Sequence, residues 1–170
     1  MNLLRMIPDL ILLGVIYYKL IFLNCRNQRS VLFRRTLLFL YLCVILYFTM
    51  LPVIATIPQR FADSGFNYNF VPFVDWQMGR GAFRFETYAN VLLFVPYGFL
   101  LYLCTDLSFG KAVFVGFLTS FLIEFFQPLV SSLRICDVSD LITNTAGTLA
   151  GVLCAQIVSF FVRKRGTMKQ

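Results

Sequence analysis

The residues best suited to chemistry lie near the ends of the last two apolar segments of the chain. Glu124 lies inside an apolar run, and Arg134 follows in the short connection to the next run. Asp137, Asp140 and Asn144 are spaced 3 and 4 residues apart, which places them on one face of a helix. Carboxylates in such a cluster can act as acid and base or hold a hard cation, and an arginine can bind carboxylate or phosphate.

The charge on Glu124 needs a partner, because an ionised group near mid-membrane costs roughly 2.5–3.5 kcal/mol even on the lenient insertion scale. Gln127 lies one turn later on the same helix face, and Arg134 is the cation we expect to pair with the acids across the short turn. Two interpretations stay open. The cluster is either a buried ion-pair network that fixes helix register, or a pocket that binds a polar or anionic group.

A second polar stripe begins the third apolar segment, where Glu86, Asn90 and Phe94 fall on one helix face. Pro96 removes a helix hydrogen bond and, with Gly98 two residues later, predicts a kink. The kink either serves helix packing or opens a cavity beside Asn90.

Small residues and an aromatic loop complete the set of candidate positions. Gly147 and Gly151 form a G-x-x-x-G pattern, which predicts close helix packing within lipid. Asn69 and Phe73 lie in a loop that we expect either to cover the cavity as a lid or to anchor at the membrane interface.

Composition indicates that membrane helices position all of these residues. Of the 170 residues, 59% are hydrophobic and 14% are charged, whereas soluble domains carry about 25% charged residues. We therefore predict an all-α integral membrane helix bundle that forms a single domain over residues 1–170, with no separate soluble domain. Runs of bilayer length predict about five transmembrane helices and one outer interfacial loop: helices at about 7–23, 37–57, 87–104, 111–130 and 138–162, and the loop at 58–86.

The net charge of +7 lies in short loops and a tail, so we interpret it as a topology signal and expect no nucleic-acid partner. Lysines and arginines favour one side, which predicts the N terminus outside and the C terminus inside. Histidine is absent, which removes the commonest metal ligand and the commonest general base near neutral pH. We expect no metal and no cofactor.

Several segments together resemble the VanZ-like family, in its order and spacing, over about residues 69–151. They are Asn69-Phe-Val-Pro72-Phe, Asn90-Val-Leu-Leu-Phe94-Val-Pro96-Tyr-Gly98, Glu124-Phe-Phe-Gln127 and Arg134-Ile-Cys-Asp137-Val-Ser-Asp140-Leu-Ile-Thr-Asn144-Thr-Ala-Gly147. The resemblance implies a small multi-pass protein of the bacterial cell membrane. It also implies a link to glycopeptide resistance, because the namesake lowers susceptibility to teicoplanin, but it implies no reaction.

The leading hypothesis is a non-enzymatic cell-envelope protein that lowers susceptibility to teicoplanin-type lipoglycopeptides. Its outward polar cluster would bind drug, lipid-linked cell-wall precursor or anionic polymer. The alternative is an enzyme that acts on a lipid-linked envelope substrate through carboxylate acid/base or Mg²⁺ chemistry, and a transporter or assembly partner ranks last. The predicted cluster comprises Asn69, Asn90, Glu124, Gln127, Arg134, Asp137, Asp140 and Asn144, and the predicted packing positions are Pro96, Gly98, Gly147 and Gly151.

Overall fold

The computed structural model describes residues 3–58, 68–79, 83–130 and 134–167. Within these ranges, five helices are long and apolar enough to cross a membrane. A helix satisfies its own backbone hydrogen bonds, which is what a lipid environment requires of a spanning segment. The predicted all-α membrane bundle is confirmed, whereas the direction in which the chain crosses the bilayer stays a prediction.

The elements alternate between long helices and short connecting pieces. The five long helices are α1 (Leu4–Cys25), α2 (Arg29–Thr49), α4 (Phe83–Cys104), α5 (Phe109–Phe126) and α6 (Val138–Thr167). Strand β1 (Tyr68–Asn69) and the short helix α3 (Val74–Gln77) lie between α2 and α4, a 3-10 turn (Gln127–Leu129) extends α5, and strand β2 (Cys136–Asp137) precedes α6.

The second helix begins and ends earlier than the predicted range 37–57, because the structure places it at Arg29–Thr49. Hydropathy alone places its end too late, since apolar residues continue past Pro52. Proline has no backbone N–H to extend a helix, and the chain leaves the helix at Met50. At the other end, Arg34 lies within the helix, because a long basic side chain can keep its charge at the membrane interface.

The predicted interfacial loop at 58–86 contains more structure than expected. It includes β1 and α3, and α4 begins at Phe83 rather than at 87. The turn-forming composition of this stretch favours a loop, and its short elements depend on bonds to distant residues that hydropathy does not reveal. Positions 59–67 and 80–82 lie outside the described residues, and they include Arg60 and Arg80, two of the arginines behind the topology prediction.

Helix α6 is central, since it makes its most extensive contact with α4 and also packs on α5. Glycines permit the close approach. A Cβ atom on Gly147 would lie 2.5 Å from the carbonyl oxygen of Val91, and a Cβ atom on Gly151 would collide with the carbonyl of Val95. Gly98 faces the backbone of α6 in the same way. Backbone therefore lies against backbone along this interface, as small residues allow within lipid.

Helices α1 and α2 are attached more loosely. Helix α2 contacts α4 through a hydrogen bond from the Tyr41 hydroxyl to the carbonyl of Leu93, at 2.9 Å, and α1 contacts α2 only sparsely. An apolar groove of about 590 Å³ runs between α1 and α2. We call it the hairpin groove, and its walls include Leu13 and Gly14 of α1 and Phe48 of α2.

Candidate functional site

A cavity of about 740 Å³ opens at one end of the bundle, between α2, α4 and the start of α6. We call it the polar cavity. One arginine, two amides and four carboxylic acids line it, together with apolar side chains such as Phe48 and Leu93. These polar residues are Arg134, Asn90, Gln127, Asp75, Glu86, Asp137 and Asp140. The same four acids also line a smaller adjoining space beside Trp76.

Asp137 is held by bonds that join two distant parts of the chain. Strands β1 and β2 pair in parallel, with Asn69 opposite Asp137. The Asn69 side-chain amide donates to Oδ2 of Asp137 at 2.9 Å. Oδ1 accepts the backbone N–H of Ser139 at 2.6 Å, which is the bond that an acidic N-cap residue makes at the start of a helix. Both oxygens of Asp137 therefore have a structural role.

The turn before α3 is hydrogen-bonded to the start of α6. The backbone N–H of Phe73 donates to Oγ of Ser139 at 2.9 Å. Phe73 has a φ of 54°, which is unfavourable for a bulky side chain and persists only where neighbouring contacts impose it. The Ser139 bond is one such contact, and it places α3, with Asp75 and Trp76, beside the cavity.

Helix α4 contributes Glu86 and Asn90 to the cavity wall, one turn apart. The Asn90 side chain is hydrogen-bonded to the carboxylate of Asp140, which joins α4 to α6. Phe94 is fully buried below and packs edge-on against Tyr97, with ring centroids 5.8 Å apart. The stripe predicted from the sequence therefore divides into a polar upper part and an apolar lower part.

Glu124 lies against the cavity without being part of its wall. It is 3% exposed, and its Oε1 accepts a long hydrogen bond of 3.4 Å from Nε2 of Gln127. The backbone N–H of Asp137 also bonds to its carboxylate. Its Oε2 is buried and has no hydrogen-bond partner among the described residues. A buried acid with one oxygen unpaired is costly, which makes Glu124 the most unusual group at the site.

Arg134 faces the cavity but does not pair directly with the acids. Its guanidinium donates to the carbonyl of Phe48 at 3.4 Å. Within the ranges that the structure covers, it makes no ion pair with Glu124, Asp137 or Asp140. The expected pairing across the turn is therefore absent as a direct contact, and the guanidinium remains available to a ligand in the cavity.

Asn144 lies one turn deeper than Asp140 and is 2% exposed. Its Nδ2 donates to Oγ of Ser120 at 3.0 Å, and its backbone carbonyl accepts from the Thr148 hydroxyl at 3.1 Å. Its Oδ1 has no partner among the residues described. Asn144 therefore links α6 to α5 below the cavity and does not line the cavity itself.

The local field at the mouth is negative. Burial raises the pKa of the Cys136 thiol, and the carboxylates of Glu124, Asp137 and Asp140 raise it further. At this thiol the three carboxylates thus act more strongly than Arg134 does. The thiol is correspondingly less ionised than a free cysteine at neutral pH.

Three groups at the site were missed from the sequence. Ser120 had a signal, because Gly116, Ser120 and Glu124 recur every four residues on one face of α5. Asp75 and Ser139 had none, since each is placed by the contacts of a short connecting element. Glu86 was noted on the face of α4, but its place in the cavity wall depends on the position of α6.

The predicted residues thus fall into three groups. Five line the cavity: Asn90, Gln127, Arg134, Asp137 and Asp140. Three lie around it: Asn69 is hydrogen-bonded to Asp137, Glu124 to Gln127, and Asn144 to Ser120 below the cavity. Of the predicted packing positions, Gly98, Gly147 and Gly151 are buried between helices, whereas Pro96 is exposed within α4.

Five membrane-length helices and a polar cavity near one end define a multi-pass helical membrane protein with a buried polar site. The family model described as VanZ/LLP1 matches residues 38–159. This match covers most of the chain, so the chain belongs to the VanZ/LLP1 family. Neither the curated proteins nor the solved structures contain a match to it.

Proposed function

We propose that this VanZ/LLP1 protein lowers the susceptibility of a bacterial cell to teicoplanin-type lipoglycopeptides by holding an amphiphilic envelope molecule in the polar cavity. The observation that carries the proposal is the convergence of Asn90, Gln127, Arg134, Asp137 and Asp140 on one cavity of about 740 Å³. A cavity of that size fits a small-molecule head group. Ionisable residues within membrane segments mark binding or transport sites by default.

The proposal places the cavity on the outer side of the cell membrane. The distribution of lysine and arginine supports that orientation. Teicoplanin acts outside the membrane and carries a lipid tail, so an outward cavity within the bundle has access both to the drug and to lipid-linked cell-wall precursor.

Among the ligand classes, an anionic envelope polymer has the weakest support. Asp75, Glu86, Asp137 and Asp140 line the cavity against one guanidinium, and like charges repel strongly where water is scarce. Drug and lipid-linked precursor are amphiphiles, and they suit a polar cavity that is open to lipid.

A teicoplanin dose response in the native host tests the proposal. It compares wild type, a deletion, and the deletion complemented with wild type, Glu124→Gln or Asp106→Asn, with membrane abundance measured for each protein. Asp106 is an exposed acid beyond α4, at the other end of this helix from Glu86, so its variant controls for loss of one charge. We expect the deletion and Glu124→Gln to raise susceptibility, and Asp106→Asn to behave as wild type. Unchanged susceptibility on deletion contradicts the proposal.

An enzyme that acts on a lipid-linked envelope substrate is the second candidate, and the unpaired Oε2 of Glu124 favours it. A buried carboxyl near Asp140 can serve as a general acid or base. No group of three or more metal-binding side chains occurs in the described ranges, so acid/base chemistry is better supported than Mg²⁺ chemistry. Purified protein incubated with undecaprenyl-linked substrates, with and without Mg²⁺, tests it, and no turnover across a broad panel counts against it.

A further inference from the structure

The polar cavity and the hairpin groove meet at Phe48. This residue lines both spaces, and its carbonyl accepts the hydrogen bond from Arg134. Its side chain is 63% exposed and forms an edge-on pair with Tyr47, which also lines the groove. A polar space and an apolar space therefore adjoin at the end of α2, with Phe48 as a shared wall residue, and together they match the two parts of one amphiphile.

The groove is open to the surrounding lipid. Its walls include Leu10, Leu40 and Val44, whose side chains are between 42% and 56% exposed. In a membrane, such surfaces are covered by hydrocarbon chains. The groove therefore selects for a chain that enters from the bilayer.

The charges of the cavity select the head group. Asp75 and Glu86 line it, and both also line the smaller adjoining space beside Trp76. Asp140 is bonded to Asn90 and lies close enough to Glu86 for their charges to interact. Behind the wall, nine-tenths-buried Glu124 interacts electrostatically with three cavity residues: Asp140, Asp137 and Arg134. The four acids of the cavity wall outnumber its one guanidinium, which favours a cationic group, and ammonium groups donate up to three hydrogen bonds to such acceptors.

We propose that the two spaces together bind one molecule of an amine-bearing membrane lipid. Its ammonium group lies among Asp75, Glu86 and Asp140, and one hydrocarbon chain lies in the hairpin groove. Arg134 is placed to contact an anionic part of the same head group, such as a phosphate. This inference deepens the proposed function, on which its relevance to drug susceptibility rests, but the binding is testable without drug or cells.

The test compares two lipids that differ only in the amine. Purified full-length protein in detergent is titrated with dioleoyl phosphatidylethanolamine or with its N-acetylated form, and bound lipid is counted by native mass spectrometry. We expect the amine lipid to bind roughly tenfold more tightly, since charge-assisted hydrogen bonds are lost on acetylation. Equal binding of the two lipids overturns the proposal.

Substitutions of cavity acids test whether their charge, and not the shape of the cavity, causes the preference for the amine lipid. We expect Glu86→Gln with Asp75→Asn to remove the preference for the amine while leaving binding of the acetylated lipid unchanged. Asp106→Asn is the matched control and should keep the preference. A preference that survives in the double variant overturns the assignment of these acids to the ammonium group.

A glycine pair tests the groove. A Cβ atom on Gly14 or on Gly110 meets nothing within 4 Å, so a side chain can start at either position without a clash at Cβ, but only Gly14 lines the groove. We expect Gly14→Leu to weaken both lipids by the same factor and Gly110→Leu to weaken neither. Full binding by a folded Gly14→Leu protein, with unchanged circular dichroism, overturns the placement of the chain.

The two proposals fail separately. Equal binding of the two lipids leaves the susceptibility experiment to be judged on its own result. Unchanged susceptibility on deletion contradicts the proposed function and leaves the lipid preference as measured.

Discussion

Asp137 and Asp140 are three residues apart but have different surroundings. Asp137 uses both oxygens to bind Asn69 and Ser139, whereas Asp140 is bonded to Asn90 and lines the cavity. The sequence could place both acids on one helix face, because that depends only on helical spacing. The sequence could not show that Asp137 caps the helix while Asp140 faces the cavity. That difference depends on Asn69, in a strand 68 residues earlier in the chain.

The cap predicts a graded loss of stability at Asp137. We expect Asp137→Ala to lower the free energy of unfolding by about 1–2 kcal/mol, because the start of α6 loses its cap. Asp137→Asn should lose less, since its amide oxygen can still cap the helix and only the acceptor for Asn69 is lost. Thermal unfolding of the purified protein in detergent measures both. Equal losses in the two variants contradict the capping role.

The negative field predicts the reactivity of Cys136. Burial and the surrounding carboxylates raise its thiol pKa, and the thiolate is the reactive form. Maleimide labelling should therefore rise with pH around a midpoint above that of an unperturbed cysteine. Asp140→Asn should move the midpoint down. The measurement uses protein whose other four cysteines are replaced by alanine. An unchanged midpoint in the Asp140→Asn protein contradicts this electrostatic assignment.

At the scale of elements, hydropathy predicted the five long helices but not all of their ends. Apolar runs reveal where a helix can lie in lipid, whereas its end depends on single residues such as Pro52. The parallel pairing of Asn69 with Asp137 could not be predicted from the sequence, because two-residue strands carry no periodic pattern.

The α4–α6 interface predicts opposite effects of the same substitution at two glycines. We expect Gly151→Ala to destabilise the protein by about 1–3 kcal/mol, because the added methyl group collides with the carbonyl of Val95. Gly110→Ala meets open space and should stabilise it by about 0.4–1 kcal/mol through the unfolded chain. Unfolding in detergent measures both, and a neutral Gly151→Ala result contradicts the close packing.

At the scale of the whole molecule, the cavity exists only where α2, α4 and the start of α6 meet. Family resemblance selected five of the seven charged and amide residues of its wall, because these five lie in motifs of recognisable order and spacing. Which predicted residues line the cavity, which one supports Asp137 and which one lies below the cavity depends on how the helices are arranged. Spacing along one chain does not specify that arrangement.

The proposed orientation predicts which loops are accessible from outside the cell. Val71 lies two residues after Asn69, which is bonded to Asp137 of the cavity wall, and is 54% exposed. Asp106 lies beyond the far end of α4. In a cysteine-free background, a membrane-impermeant maleimide should label Val71→Cys in intact cells and Asp106→Cys only after lysis. The reverse pattern contradicts the orientation.

The parallel strand pair also has a consequence for how the protein is made. The hydrogen bond between Asn69 and Asp137 cannot form until Asp137 has been synthesised, 68 residues later. At synthesis rates of about 5–20 residues per second, this delay is roughly 3–14 s. During that interval α4 has left the ribosome with Glu86 and Asn90 but without α6, its main packing partner. The nascent chain therefore reaches the membrane with its acids unshielded, and the insertion machinery has to tolerate them until the last helix arrives.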